Sequence, residues 1–332
     1  MVPIAEQLNA NGADIYICAH GESLELLKME CNYAHFVEDI PFEVTYGNTS
    51  TKSIFKLMCQ LPKMWFQVYK EHQHLKKLVK QYKIELVISD NRFGFYHTQV
   101  PSIFITHQIN IKVPFGGALI NFINHYFIKK YTVCWVPDLE RDVESLAGDL
   151  SRNKRLKNVK YIGPLSRGKR AKVLNELKPI VMYLLSGVEP QRSILEKYIL
   201  QYHEMYPHQA ILVRGTSKGI NKILPKQNLT VYEMCNAGQL QNLVSACKYV
   251  VCRSGYSSVM DLVKWQKNAV LIPTPGQFEQ EYLAKYLSQK NWFYSVEQNN
   301  FLNFEVTNLI GYECPKFDLI ETNVIAMIKE IL

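Results

Sequence analysis

Between Tyr249 and Tyr286 the chain twice places small polar residues and a glycine where they could hold an anion. Arg253-Ser254-Gly255 follows the apolar run 249–252, and Ser257, Ser258 and Asp261 come next at helical spacing. Pro273-Thr274-Pro275-Gly276 follows the apolar run 269–272, and Gln280 and Glu281 come next. Each reads as a buried strand, a glycine-containing turn and a helix start. The amino end of a helix presents unpaired N–H groups and a partial positive charge, which suits phosphate. Two such starts side by side, each with polar residues just inside, would suit a phosphate carrying hydroxyl-rich groups. A nucleotide sugar is a ligand of that kind.

Each of these residues also has a plainer role. Ser254, Ser257 and Ser258 could cap the helix that follows them, and Asp261 could be a solvated carboxylate. Gly255 would let backbone approach a ligand closely. Arg253 ends a buried strand, where an unpaired charge is costly, so a phosphate or carboxylate partner is expected. Glu281 would favour a helix start through the dipole alone. Ser186-Gly187 follows another apolar run, 181–185, and could offer N–H groups and a hydroxyl to a diphosphate or be an ordinary turn. In the first half, Asp90, Asn91 and Arg92 follow the run 86–89, while His107 and Gln108 follow 103–106. Both groups fall at carboxyl ends of expected parallel strands, where open α/β sheets bind ligands. His107 could be a general base or a hydrogen-bonded loop histidine. No acidic pair is placed to hold a divalent ion, and no G-x-G-x-x-G follows a strand, which disfavours a dehydrogenase.

The elements that must position these residues alternate along the whole chain. Apolar strand-length runs fall near 14–19, 34–37, 86–89, 103–106 and 133–136. A second series falls near 180–185, 211–214, 229–232, 249–252, 269–272 and 292–294. Helical-period segments separate them. Near-continuous apolar strands are those of a parallel sheet covered on both faces, so the class is α/β. The Gly, Pro and charge of residues 163–170 break the rhythm. We therefore expect a first domain over 1–162, a linker over 163–179 and a second domain over 180–332. The chain opens on a helical segment, Val2 to Leu8, stopped by Asn11-Gly12. A doubly wound domain should open on a strand and a glycine-rich turn. The first domain is thus expected to lack that strand and turn. Truncation at the amino terminus is the favoured explanation, and a fold that dispenses with the strand is the alternative.

A hydrophobic content of 47% and a charged content of 20% fit a globular chain of 332 residues. The eight cysteines are scattered without a CxxC, which fits a reducing compartment and neither a disulfide framework nor a zinc site. No signal peptide and no apolar run of membrane-spanning length are seen. The net charge of +8 gathers at 63–83, 129–130 and 152–172. A solvated face is the plain reading, anionic lipid the sharper one, and nucleic acid is not expected without a binding motif. The segment 113–123, with Lys129 and Lys130 beyond it, is read as a core helix, with a membrane-facing one as the alternative.

These motifs resemble glycosyltransferase family 28, of GT-B architecture, which includes the lipid-linked N-acetylglucosaminyl transferase of peptidoglycan synthesis. The specific motifs are Ser186 to Arg192, Arg253-Ser254-Gly255 with Asp261, and Pro273 to Glu281. In the first half, Ser89 to Gly94 and Phe104 to Gln108 resemble a less characterised bacterial and archaeal branch. The resemblance implies two Rossmann-like domains facing a cleft. It implies transfer of a hexosyl group from a nucleotide sugar, a UDP-sugar foremost, to an acceptor hydroxyl, without metal or cofactor. Asp261 would hold the ribose, where the family usually has the longer Glu. Gln280 and Glu281 would read the donor sugar, Arg167 would reach the donor phosphates, and Met234 would lie against the base. Asn91, Arg92 and Gln108 would serve the acceptor, and His107 or Asp90 the chemistry. The family's usual base lies in the glycine-rich turn that this sequence does not show. The acceptor would be lipid-linked or a cell-envelope glycan precursor, with the protein cytoplasmic and peripheral at the inner face of the membrane. A non-catalytic nucleotide-sugar-binding subunit and a sugar-nucleotide epimerase are the alternatives.

Overall fold

The structure is a computed structural model that describes residues 1–40, 50–140, 145–166, 180–216, 228–317 and 323–332, without the side chains of 22, 50–62 and 180. Two compact units divide the chain: Met1–Gly21, Cys31–Leu165 and Asp318–Leu332 form the first, and Glu22–Glu30 and Ser166–Phe317 the second. In chain order the elements begin α1 (Val2–Ala10), β1 (Tyr16–Cys18), α2 (Gly21–Glu30), β2 (His35–Val37), α3 (Ser50–Tyr82) and β3 (Val87–Asp90). They continue β4 (Ser102–Ile105), α4 (Gly117–Ile128), β5 (Val133–Val136), β6 (Val159–Tyr161), β7 (Ile180–Leu184) and α5 (Gln191–Met205). Then come β8 (Ala210–Val213), β9 (Leu229–Tyr232), α6 (Ala237–Ser245), β10 (Cys247–Cys252), α7 (Tyr256–Trp265) and β11 (Asn268–Leu271). The last are α8 (Phe278–Gln289), β12 (Tyr294–Ser295) and α9 (Val324–Lys329).

All strands of the first unit pair in parallel, but they form two sheets, β1-β2 and β3-β4-β5-β6. Among the described residues no strand joins β1 to β3, the place where the expected order has its opening strand. Polar contacts connect the two sheets instead. Arg92, after β3, reaches Asp39, after β2, at 2.8 Å and Glu71 of α3 at 3.0 Å. The core forms on β4 and β5, where Ile103, Phe104, Cys134 and Trp135 are fully buried, as strands covered on both faces require. β6 was not visible as an apolar run because Lys160 sits at its centre and each residue is half-buried, as on an edge.

Residues 318–332 belong with the first unit, whereas the sequence reading put them in the second domain. Val324 and Ile328 of α9 are buried in one cluster with Ile4, Ile103 and Trp135. The Val324 amide donates to Gln7 Oε1 at 3.0 Å. An apolar helix face goes where matching apolar surface is available, and sequence order does not decide that.

The second unit is one parallel sheet in the order β12-β11-β10-β7-β8-β9. Numbered within the unit this is 3-2-1-4-5-6, the dinucleotide-fold order. Its switch point, the usual ligand crevice, lies between β7 and β10. β10 pairs with β11 in register from Tyr249↔Asn268 to Cys252↔Leu271, so the turns after both strands lie side by side. The sheet core holds Val181, Tyr183, Leu212, Val251, Val270 and Phe301, each nearly solvent-free.

Candidate functional site

Among the described residues, four helices of the second unit begin after strands of its sheet, and their amino ends differ in charge. At α5, Glu189 accepts from the Ser193 amide at 3.2 Å and pairs with buried Arg192. Burial opposes the Glu189 charge, but Arg192 and Ser193 hold its carboxyl below the usual range. At α6, the Ala237 amide donates to Glu30 Oε1 at 2.7 Å, beside a capping box made by Asn236 and Gln239. At α8, Glu281 Oε1 accepts from the Gly276 amide at 2.8 Å, and Glu279 lies in the same first turn. At α7 the first turn carries no acid, and among the described residues no side chain caps it. Its N-cap is Gly255, in extended backbone, where an added Cβ would meet open space. The amino end of α7 therefore keeps the positive field that its neighbours have partly cancelled.

The residues around α7 divide into those that face outward and those that build the turn. Ser257 is exposed and Ser258 half-buried, both in the first turn. Asp261 accepts from Ser166 Oγ at 2.6 Å, which fixes its carboxylate one and a half turns along the helix. Ser254 is solvent-free, and its hydroxyl donates to the Gln280 carbonyl at 2.8 Å, tying the α7 turn to α8. Arg253 is 1% exposed. It donates to the carbonyls of Ile272 at 3.3 Å, Pro273 at 3.2 Å and Gln191 at 2.8 Å, and to Gln298 Oε1 at 2.7 Å. The anionic partner expected from the sequence is replaced by this ring of carbonyl dipoles, which leaves a charged guanidinium although burial lowers its pKa to about 10. Arg253 thus locks β10, β11 and α5 around the switch point.

At α8, Gln280 Oε1 accepts from the Thr274 amide at 2.9 Å, and its Nε2 donates to Gln277 Oε1 at 2.5 Å. Gln280 and Glu281 shape the turn around Gly276, whose φ is +79°. They also line the α8 start with oxygen acceptors beside the α7 amides. Ser186-Gly187 ends β7 at the switch point, and Gly187 has a φ of +97° with open space at its Cβ position. Met234 is half-buried in the turn between β9 and α6. Arg167 lies outside the described residues.

In the first unit, Asp90 is exposed at the end of β3, and Asn91 takes a left-handed φ of +55° while its amide donates to the Ile105 carbonyl at 3.1 Å. His107 and Gln108 are half-buried after β4, and the Gln108 amide donates to Thr106 Oγ1 at 3.0 Å. Arg92, read as acceptor-facing, is engaged by Asp39 and Glu71, and its guanidinium lies 4.0 Å from the Phe95 ring centroid. The sequence reading missed His20 and Asp39, which lie just beyond β1 and β2 with His20 Nδ1 2.6 Å from Asp39 Oδ2. Nothing in their spacing signals this pairing; the parallel register of β1 and β2 creates it. Among the described residues, no group of three His, Cys, Asp or Glu is placed to hold a metal.

The reading of 113–123 as a core helix is corrected. Phe115 and Phe122 are 73% and 71% exposed, and Leu119 and Tyr126 lie open beside them. α4 buries Asn124, Phe127 and Ile128 instead. Trp65, Phe66 and Tyr69 of α3 are exposed too, and the Trp65 ring meets Tyr126 at 6.2 Å between centroids. Lys130 lies 4.7 Å over Tyr126 and Lys70 4.5 Å over Phe66.

Residues 204–312 match the model of the glycosyltransferase family 28 C-terminal domain. No curated protein sequence matches the chain. Among solved structures, spinosyn rhamnosyltransferase SpnG is similar at a TM-score of 0.62 and 11% identity, over 94% of this chain and 89% of that one. MurG of Acinetobacter baumannii gives 0.53 at 13% identity, over 99% and 93%. SnogD of Streptomyces nogalater gives 0.54 at 14% identity, over 99% and 94%. At these identities the likeness is one of fold.

Proposed function

We propose that this chain, a GT-B protein carrying a family 28 glycosyltransferase C-terminal domain, moves a hexosyl group from a nucleoside-diphosphate sugar to an acceptor hydroxyl. The observation that carries this reading is a contrast at the switch point: among the described residues no carboxylate meets the amino end of α7, while Glu189, Glu30 and Glu281 meet those of α5, α6 and α8. A diphosphate is drawn to the start of α7, with the Ser257 and Ser258 hydroxyls in reach of its oxygens. The acceptor oxygens at the start of α8 suit sugar hydroxyls better than phosphate. Asp261, anchored by Ser166, takes the ribose hydroxyls. Ser186-Gly187 borders the same crevice, and Arg253 and Ser254 hold its walls. Two solved relatives in fold, SpnG and SsfS6, are described as complexed with thymidine diphosphate, a ligand of this class. The leaving diphosphate is stabilised by helix amides, which need no reorganisation as charge develops. We take uridine as the base and the first unit, with Asp90, Asn91, His107 and Gln108, as the acceptor side.

Titration calorimetry with UDP and thymidine diphosphate tests the donor site, and a folded protein that binds neither refutes it. Asp261→Ala is expected to weaken UDP binding by about tenfold, the loss of one or two hydrogen bonds to a charged group. Unchanged affinity would remove Asp261 from the ribose.

The aromatic face of α3 and α4, with its lysines, supports peripheral contact with an anionic bilayer, since aromatic and basic residues share the interfacial zone. No described helix is long and apolar enough to cross a membrane. Sedimentation with phosphatidylglycerol vesicles should capture the protein, and Phe115→Ser with Phe122→Ser should release it; equal capture of both forms would refute the contact.

A further inference from the structure

A cavity of about 350 Å³ opens on the second unit beside β7, β10 and the end of α5. Val181 and Tyr249, paired across β7 and β10, both line it. They lie towards the amino ends of their strands, so the cavity is at the opposite end of the sheet from the switch-point crevice. Tyr202, Tyr206, His208 and Phe304 give it an aromatic wall. The Tyr202 ring lies 5.1 Å from that of Tyr206 and 6.0 Å from that of Phe304, between centroids. The Tyr202 hydroxyl donates to the Phe304 carbonyl at 3.0 Å, and His208 Nε2 lies 3.0 Å from the Tyr183 hydroxyl. These bonds fix the wall before any ligand arrives. Tyr206 and Val306 are 49% and 50% exposed, so the cavity is open to solvent on their side. A preformed, mostly apolar cavity with few polar groups is the usual form of a small-molecule site.

Tyr249 is the polar group that this wall leaves over. It is 5% exposed, and among the described residues its hydroxyl has no hydrogen-bond partner. Burial pushes its pKa up, with Tyr202 beside it as the lesser cause, so the phenol keeps its hydrogen and stays a donor. A buried donor without a partner is costly, and an acceptor on a ligand would remove that cost. Two charged residues border the cavity. Lys248 is exposed and makes no ion pair among the described residues. Glu305 is engaged by its own chain: Oε2 accepts from Thr307 Oγ1 at 3.2 Å, and the carboxylate caps the turn that starts at Val306. His208 Nδ1 lies 2.5 Å from the Tyr206 carbonyl, so both ring nitrogens are used. The polar groups left for a ligand are thus a phenol donor and an ammonium. A sugar would bring more hydroxyls than such a wall can satisfy, and a cation would meet Lys248.

We propose that this cavity binds a small aromatic carboxylate. The ligand's ring lies among those of Tyr202, Tyr206 and Phe304, in the offset and edge-to-face contacts that aromatic groups favour. One carboxylate oxygen accepts from the Tyr249 hydroxyl, and Lys248 supplies the opposite charge. The site lies wholly within the second unit and does not depend on the transferase reading.

Titration calorimetry of the full chain tests this with 1-naphthoate as the probe. 1-Naphthylmethanol and 1-naphthylmethylamine carry the same ring with a neutral and a cationic group. Naphthoate should bind once per chain, and the alcohol and amine at least about tenfold more weakly, because hydrogen bonds to ionised groups are the stronger kind. Tyr249→Phe should weaken naphthoate binding by about tenfold, and Lys248→Met, a change on the surface, by about threefold. If Tyr249→Phe misfolds, ¹H–¹³C spectra of the tyrosine rings in the wild type still locate the ligand. Naphthoate should shift the ring signals of Tyr202, Tyr206 and Tyr249. Absence of saturable binding, tighter binding of the alcohol or the amine, unchanged affinity in either folded variant, or shifts confined to other tyrosines would each overturn the proposal.

Discussion

Asp39 is a carboxylate that burial disfavours and its partners stabilise. Desolvation raises its pKa, but hydrogen bonds from His20, Cys18 and Arg92 outweigh that and hold it at about 2, against 3.8 when unperturbed. A folded pKa below the unfolded one means stability that is present above pH 4 and lost as pH falls towards 2. The expected contribution is about 1 to 2 kcal/mol, since the half-open His20 leaves part of the cluster screened by water. Urea unfolding of wild type and Asp39→Asn should show a gap at pH 6 that narrows between pH 4 and pH 2. A gap that does not change with pH would mean that Asp39 acts by packing alone. The same carboxylate pushes the Cys18 thiol up to about 12, after burial as the larger cause, so this cysteine stays a neutral donor. At this scale the sequence was legible where neighbours in the chain are neighbours in space. Asp261 and Gly255 share one helix start, so their relation could be read directly. Arg253 was assigned the wrong kind of partner because its carbonyl ligands come from residues 191, 272 and 273, which only the closed sheet brings together.

The same limit applies to whole elements. The strands of the second unit were visible because covered parallel strands are apolar throughout, as β8 and β11 show. The two helix starts after β10 and β11 were visible as turn motifs, but their opposite charge settings were not. Glu281 could be read from sequence as a sugar contact or as a carboxylate favoured by the helix dipole, and its bond to the Gly276 amide puts it against the helix end. This difference can be tested at the helix level. Ser257→Asp adds an acid to the first turn of α7, where the dipole favours it by about 0.3 to 1 kcal/mol. Thermal stability should hold or rise slightly, while UDP affinity falls by at least about tenfold because the new carboxylate takes the diphosphate's place. Glu279→Asp, which keeps the charge already present at the start of α8, should leave UDP affinity unaltered. If Ser257→Asp binds UDP as the wild type does, the diphosphate is not at α7.

At the scale of the molecule, the chain's last helix is a structural part of its first unit. The sequence reading divided the chain by a change in rhythm near residue 163, and the unit boundary after Leu165 lies close to it. It had no means of placing α9, a six-residue helix whose apolar sequence does not say which core it joins. The structure gives two of its residues a definite task. Val324 is fully buried and Ile328 nearly so, against Ile4 of α1 and the β4–β5 face. Lys160 of β6 reaches Glu330 at 2.5 Å, but an exposed pair adds little beside the apolar contact. Burying two such side chains is worth about 3 to 5 kcal/mol. Removing residues 318–332 should therefore weaken the first unit by about that amount and spare the second. Hydrogen exchange can separate the two: amides of β4 and β5 should lose protection in the shortened chain, while those of β7 and β10 keep theirs. UDP binding, assigned wholly to the second unit, should survive the deletion. Equal loss of protection in both units would mean that α9 supports the fold as a whole, and unchanged protection of β4 and β5 would mean that its apolar face contributes nothing to the core it covers.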